Sequence, residues 1–434
     1  MSKIRSLIKK FIPVSLFEKL EPLGHLIEAV FANVRYGFPA KSMHIIGVTG
    51  TNGKTTTTFM IHRILHEAGY KVALTSSVAY GIGDDIKPQI EHITTAQAGL
   101  LQKRLRDFKR AGVNWVVVET SSHALAQNRV WGLPYEIAVM TNLTYDHLDY
   151  HKTFEKYSEA KRKLFAIANK NGRTFGVVNA EDKLANKFAS TIKRHVSYGV
   201  KAGDLRAKNI KLSGTGTDYQ AKIGKDSYDI QLNLIGEFNV YNSMAAIAVA
   251  REIGVEKKQI EDGLAALKSV EGRVSSVDEG QNFNVLVDFA STPDAFENIF
   301  STVRPIVKGK LVAVFGSAGR RDESKRPVQG EIAGKYADEI ILTEEDDRDI
   351  DGNQILNEIA VGVEKTGKVL DKNYFKILNR EEAIKFALGR VSSKDDTILL
   401  LGKGHEKTIE RANETIDWNE TEVARKLIKN LIKR

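Results

Sequence analysis

The sequence predicts an α/β protein: a P-loop-type central ATPase domain on a mostly parallel sheet, followed by a C-terminal, Rossmann-like doubly wound domain. Three observations carry this expectation. Short, near-continuous apolar runs such as Trp115–Glu119 (WVVVE) alternate with helical stretches, the pattern of a parallel sheet covered on both faces. A glycine-rich turn at 50–56 lies between the first such run and a helix. The βα alternation then restarts near residue 270, after Ser269-Val-Glu-Gly-Arg-Val. At about 150 residues per domain, 434 residues suit more than one domain.

Residues 1–43 read as a short helical segment, one or two helices broken at Pro13 and Pro22. Ile4, Leu7, Ile8 and Phe11 fall at helical spacing beside Lys3, Lys9 and Lys10. Such a face either packs on its own protein, the favoured reading, or makes peripheral membrane contact. The central domain is expected over 44–270, with strands at His44–Thr49, Lys71–Ser76, Trp115–Glu119 and Ile137–Thr141. Helices follow the glycine turn through Ala68 and span Leu100–Ala111; 196–235 alternates like an antiparallel edge or flap, and a helix runs from about Tyr241 to Ile253. The second domain, 271–434, shows strands at 283–289, 310–316, 339–343 and 396–402. Its helices start at Pro293, near Gly330–Tyr336, and in the basic tail from Asn419.

Composition removes several function classes. Apolar residues at 42% and charged residues at 27%, with 8 prolines, are ordinary for a soluble globular chain. With 0 cysteines, disulfide scaffolds, thiolate metal sites, iron–sulfur clusters and cysteine nucleophiles are excluded. No apolar run reaches the length of about 18 that spans a bilayer, and no secretory signal pattern is present, so a cytoplasmic location is expected. The balance of 64 basic and 55 acidic residues, +9, suits nucleic acid, an anionic membrane or a phosphate-rich small substrate. Without an aromatic-rich nucleic-acid motif, no nucleic-acid partner is expected, and the chain is expected to be a monomer.

Gly50-Thr51-Asn52-Gly53-Lys54-Thr55-Thr56 is a short variant of the phosphate loop, since the usual spacing needs a glycine where Val48 stands. Glycines let backbone N–H groups wrap phosphate, Lys54 reaches the outer phosphates and the Thr55 hydroxyl suits Mg²⁺. Glu119 ends a buried strand at its carboxyl edge, where ligands of open α/β sheets bind, and is a second oxygen ligand for Mg²⁺. His147, Asp149 and His151 cluster after another strand, which favours a functional role over a structural one. Lys161, in Ser-Glu-Ala-Lys-Arg-Lys, reads on its neighbours alone as a solvated helix lysine. Three charged loops follow strands of the second domain: Arg320-Arg321-Asp322, Glu344-Glu345-Asp346-Asp347-Arg348 and Gly402-Lys403-Gly404-His405-Glu406. On one sheet edge they suit a zwitterionic substrate such as an amino acid.

Together, GTNGKTT, Glu119-Thr-Ser-Ser-His-Ala-Leu, Asp146-His-Leu-Asp-Tyr-His, Gly236-Glu-Phe-Asn, Asp288-Phe-Ala-Ser-Thr-Pro-Asp and GKGHE resemble the Mur ligase family from residue 44 onward. The likeness is strongest to members that add the third peptide residue of the peptidoglycan precursor. It implies an ATP-dependent acid–amino-acid ligase acting on UDP-N-acetylmuramoyl-L-alanyl-D-glutamate through an acyl phosphate. It also implies that Lys54 and Thr55 serve ATP, that Glu119 and His147 bind Mg²⁺, and that Lys161 is carbamylated to ligate a second Mg²⁺. Thr94, Thr95, Ser121, Gln127 and Arg129 match contacts to the muramoyl peptide, and Asn239, Asn242, Arg273 and Asp288 match contacts to ATP. Arg321, Glu345, Asp346, Arg348, Gly402 and Glu406 match the pocket of the added amino acid.

The sequence departs from the family in three places. The residues before His44 are too few for the usual UDP-binding βα domain, leaving recognition of that group open. The family's Asp-Asn-Pro-Arg reads Glu345-Asp-Asp-Arg348: the arginine suits the distal carboxylate of meso-diaminopimelate, while the extra acids suit lysine. Ser291 and Ile93 stand where the family often has His and Asn. The expectation is a diaminopimelate-adding ligase. The alternatives are a lysine-adding enzyme, a folylpolyglutamate-type ligase on a carrier without UDP, and a nucleotide-regulated binding protein.

Overall fold

Strand β1 (His44–Thr49) lies inside an eleven-stranded sheet because all but its first residue is buried on both faces. The structure is a computed structural model that describes residues 14–89, 91 and 93–433. The other strands of this sheet are β2 (Val72–Thr75), β3 (Ala79–Ile82), β4 (Asp85–Pro88), β5 (Trp115–Glu119), β6 (Tyr135–Met140), β7 (Phe175–Asn179), β8 (Arg194–Gly199), β9 (Leu205–Leu212), β10 (Thr217–Ile223) and β11 (Asp226–Leu232). Their order is β11-β10-β9-β8-β7-β6-β1-β5-β2-β3-β4. Pairing is parallel from β9 to β2 and antiparallel in the hairpins at both edges. The parallel register brings the carboxyl ends of β1, β5 and β6 side by side, with Val48 opposite both Glu119 and Val139.

Helix α1 (Val14–Tyr36) comes first, and α2 (Lys54–Glu67), α3 (Ala98–Arg110), α4 (Ser122–Ala126), α5 (Leu148–His151), α6 (Phe154–Ala168), α7 (Ala185–Ala189), α8 (Glu237–Ile253) and α9 (Lys257–Ala266) follow between or after the strands. Ile46 and Val48 of β1 pack with Met60, Ile64, Met244 and Ile260 from α2, α8 and α9. Ile45 points to the opposite layer, with Leu101 and Leu105 of α3 and Leu164 and Phe165 of α6. Gly47 is also on that side: a Cβ there would meet Leu164 at 2.6 Å and the Tyr135 ring at 2.8 Å.

Two expectations are corrected here. Pro22 sits inside α1 and does not break it, because tertiary contacts hold the helix: Ala29 and Ala32 pack on Ala98, and the Asn33 amide donates to Ala29 O and Trp131 O. Helix α8 starts at Glu237, which places Asn239 and Asn242 within its buried first turns. The amphipathic segment Ile4–Phe11 lies outside the described residues.

The second sheet joins β12 (Ser275–Ser276), β13 (Asn284–Asp288), β14 (Leu311–Phe315), β15 (Glu339–Leu342), β16 (Tyr374–Lys376) and β17 (Thr397–Leu401) in the order β12-β13-β17-β14-β15-β16. All neighbours except β12 and β13 are parallel. Helices α10 (Pro293–Val303), α11 (Lys325–Tyr336) and α12 (Gly352–Glu364) cover one face, and α13 (Arg380–Leu388) and α14 (Glu420–Ile432) the other. This is the doubly wound plan expected, with α11 starting earlier than Gly330. A hairpin of β18 (Thr408–Glu410) and β19 (Thr415–Asp417) follows β17.

Glu344, Glu345, Asp346 and Asp347 after β15 are buried, and Glu344 and Asp346 are ion-paired. Arg411 donates to Glu344, Lys403 pairs with Asp346 at 2.8 Å, and Arg380 donates to the Glu344 carbonyl while pairing with Glu420 at 2.6 Å. Asp347 Oδ1 is buried without a partner, and burial with Glu344 nearby pushes its carboxyl up to about 6. The folded state therefore holds this proton above the ordinary Asp range, so stability contributed at low pH is lost as pH rises from about 4 to 6. Asp347→Asn should remove that loss. In urea unfolding its advantage over the parent should grow across this window, to at most about 3 kcal/mol, and level off above it.

A second prediction concerns helix crossing. A Cβ on Gly263 of α9 would lie 2.6 Å from the Ile64 Cα of α2. Gly263→Ala should lower the urea midpoint, at a cost of about 1–3 kcal/mol.

Candidate active site

The loop from Gly50 to Gly53 is fixed by its neighbours before any ligand arrives. Gly50 has φ +149, and a Cβ there would fall 1.8 Å from Thr141 Oγ1; Gly53 has φ +80 and faces Asn242 Oδ1 in the same way. No other residue fits either place. Thr51 N donates to Asn142 O at 2.8 Å, its hydroxyl shares a hydrogen bond with Tyr157, and Thr141 Oγ1 donates to Asn52 O at 2.6 Å. No side chain caps α2 at Gly53, so the free N–H groups of its first turn border the cleft as an anion site. Lys54 folds back to Thr51 O at 2.7 Å, and burial lowers its pKa.

The Thr55 hydroxyl donates to the Glu119 carboxylate, 3.1 Å from each oxygen, and accepts from Arg273 at 3.0 Å. Ser77 donates to the same carboxylate through its N–H (2.8 Å) and its hydroxyl (3.1 Å). This set of oxygens suits Mg²⁺, which takes one or two carboxylates and keeps its waters, and so needs no closed protein cage. Accordingly, no group of three His, Asp or Glu converges as a metal cage among the described residues.

His147, left-handed at φ +54, lines the cleft beside Asp146. Burial above all keeps its imidazole neutral, the form able to ligate a cation. His151 does not join it. Its Nε2 shares a 3.0 Å hydrogen bond with Ser122, and its ring packs on His123 and Tyr157. Of the expected trio, His147 and Asp149 reach the cleft and His151 serves packing.

Lys161 is not solvated. It is 2% exposed, donates to Gly50 O at 2.6 Å and stands over the Tyr157 ring. Burial and the charge of Lys54 push its pKa well down, which favours the free amine.

Thr95, Ser121, Gln127 and Arg129 form one cluster behind the cleft wall where Thr94 is exposed to it. Thr95 Oγ1 donates to Glu119 O and accepts from Ser121 N, both at 2.9 Å; Arg129 donates to Gln127 Oε1 and to Thr95 O. Elsewhere on the cleft, Asn242 donates to Asn239 Oδ1 at 3.0 Å, and Asp288 accepts from Val274 N and Ala290 N. Burial raises the Asp288 carboxyl.

The three charged loops meet as expected. Arg321, Glu345, Asp346, Arg348 and Glu406 line the same cleft, of about 900 Å³, as Lys54, Glu119 and Arg273. Gly402 (φ +101) lies against Glu345, where a Cβ would be 2.7 Å from Oε2. Lys403 is fully buried between Asp346 and Glu406, which raise its pKa against the effect of burial. Arg348 donates to Glu410 Oε2 at 2.9 Å and to Gly319 O. Sequence reasoning missed Ser77, Glu410, the buried pairing of Lys403 and the Asn52–Asp294 hydrogen bond between the lobes. Of these, Ser77 had a signal: it follows β2, which runs parallel to the strand ending in Glu119.

The sequence model of the Mur ligase middle domain matches residues 48–250, and that of the Mur ligase glutamate ligase domain matches 272–404. The chain is 40% identical over 407 residues to the UDP-N-acetylmuramoyl-L-alanyl-D-glutamate–2,6-diaminopimelate ligase of Geobacillus thermodenitrificans, covering 92% of this chain and 82% of that protein. It is 39% identical to the UDP-N-acetylmuramyl-tripeptide synthetase of Roseiflexus sp., covering 94% and 83%. A solved UDP-N-acetylmuramoyl-L-alanyl-D-glutamate–2,6-diaminopimelate ligase superposes with a TM-score of 0.62 at 30% identity, covering 91% of this chain and 80% of that one. Folylpolyglutamate synthase of Mycobacterium tuberculosis shares the fold, with a TM-score of 0.71 at 16% identity over 94% and 95% of the two chains. The chain belongs to the Mur ligase family of ATP-dependent acid–amino-acid ligases.

Proposed function

We propose that this chain joins meso-diaminopimelate to UDP-N-acetylmuramoyl-L-alanyl-D-glutamate with consumption of ATP. The observation that carries this reading is a single cleft in which the 50–56 loop faces the charged loops at 321, 345–348 and 406. The units 44–270 and 271–434 then act as an ATP-binding and an amino-acid-binding half. ATP lies with its phosphates on the loop and the first turn of α2; Lys54 turns from Thr51 O to the outer phosphates, and Asn239, Asn242, Arg273 and Asp288 hold the rest of the nucleotide. The glutamyl carboxylate, held from the side of Thr94, Thr95, Ser121, Gln127 and Arg129, attacks the γ-phosphorus and ADP leaves. The amine of the amino acid then attacks the acyl carbon, phosphate departs with the former carboxylate oxygen, and a proton is lost from nitrogen. Joining two bound substrates gains chiefly from orientation, which a cleft between two lobes supplies.

Thr55, Glu119 and His147, with Lys161 as its carbamate, are the residues that would hold one or two Mg²⁺. The ions would neutralise charge spreading over the transferring phosphoryl group. The buried, free-amine character of Lys161 supports this: a neutral amine adds to CO₂ and loses a proton, giving an anion beside Lys54. Lys161→Ala should lower kcat by about 10²-fold or more, with part of the loss restored by added short carboxylates. Full activity in that variant would remove Lys161 from the machinery.

Diaminopimelate fits better than lysine because Glu344 and Asp346 are compensated within the protein by Arg411 and Lys403, which leaves Arg321 on the cleft to face a substrate carboxylate, with Arg348 beside it in its bond to Glu410. Arg348→Ala should raise the KM for diaminopimelate about 10–100-fold. Phosphate release should require both the muramoyl dipeptide and the amino acid, and product mass with diaminopimelate and lysine in competition identifies the acceptor. Release from ATP alone would overturn the assignment.

A further inference from the structure

Helix α1 has two apolar faces and only one of them is used. Inward, Ala29, Ala32 and Asn33 seat on α3 and on the loop at Trp131. Outward, Leu23, Ile27, Phe31 and Val34 follow one another at helical spacing and are 54%, 63%, 58% and 62% exposed. Single exposed apolar residues are common; four large ones in a row along one helix are a surface that seeks an occupant.

The charges around this stripe choose the occupant. Arg35 and Lys41 are exposed at its carboxyl end, and Lys103, Lys109 and Arg110 are exposed on the adjacent α3, outnumbering the half-buried Glu21 and Glu28 of α1 and the exposed Asp107 of α3. At the other end, the sequence leading into α1 carries Lys3, Arg5, Lys9 and Lys10 with no acid among the first seventeen residues. A second copy would bring the same cations against themselves, in a chain of net charge +9. An anionic lipid surface takes the apolar stripe into its acyl boundary and the flanking lysines and arginines among its headgroups. No helix among the described residues is long and apolar enough to cross a membrane, so the contact is lateral.

We propose that the outer face of α1, Leu23-Ile27-Phe31-Val34 with its flanking cations, docks this ligase peripherally on anionic lipid. The cleft residues are not part of this face, so docking and catalysis are separable. The test is co-sedimentation of the full chain with phosphatidylcholine vesicles, with and without phosphatidylglycerol. Binding should be about tenfold stronger with the anionic lipid, weaken with added salt, and fall about tenfold in the Ile27→Glu/Phe31→Glu variant. Phosphate release by that variant in solution should be unchanged, which shows that it is folded. Equal sedimentation with both lipids, or anionic-lipid binding that the double variant retains, would overturn the proposal. So would a lipid-free dimer that the double variant dissociates while vesicles bind neither form, since the face would then belong to a second copy.

Discussion

The seating of the Gly50–Gly53 loop against the end of β6 is the constraint from which the site follows. Thr141 and Asn142 bond the loop backbone, Lys161 reaches Gly50 O from α6, and Tyr157 meets Thr51. These contacts require β1 to lie between β5 and β6 in parallel register, so that three strand ends open on one edge. The loop is therefore held in place by its own neighbours, and its amides would cost little further entropy to organise around the phosphate proposed there. Glu119 reaches Thr55 for the same reason: its strand is the other neighbour of β1.

The second lobe is tied to that edge by few but specific bonds. Arg273 donates to Thr55, and Asn52 donates to Asp294 at the start of α10. Polar bonds of this kind suit a joint that opens and closes. The hydroxyl that Arg273 occupies is also the one proposed for the metal, so under that proposal lobe contact and nucleotide loading would share an atom.

Much of this arrangement was legible in the sequence because it rests on apolar strands that end in glycine or charge. Runs such as WVVVE and TILLL state their burial outright, and the residues just after them fall on the ligand-binding edge by topology. Lys161 shows where such reasoning stops. Its neighbours Arg162 and Lys163 suggest solvent, yet Tyr157, Ala160, Leu164, Phe165 and Ala168 share its helical face and are buried with it. A lysine inside an apolar stripe was the available signal, and local charge masked it. His151 erred in the opposite direction: its motif is dense in ligating residues and its ring shares the neighbours His123 and Tyr157 with His147, but its Nε2 is taken by Ser122 while His147 stands beside Asp146 on the cleft. Pro22 escaped local rules altogether, since packing of α1 on α3 outweighs one lost backbone bond.

The Arg380–Glu420 pair ties the last helix to the heart of the second sheet. Both side chains are 0% exposed, and Arg380 also holds the carbonyls of Glu344 and Leu401, at the roots of two loops that line the cleft. Truncation before α14 would strand a guanidinium in a dry interior, a penalty of about 3–5 kcal/mol beyond the lost packing. A stop codon or protease cut there would thus be felt where Glu345 and Asp346 line the cleft, far along the chain from the lesion.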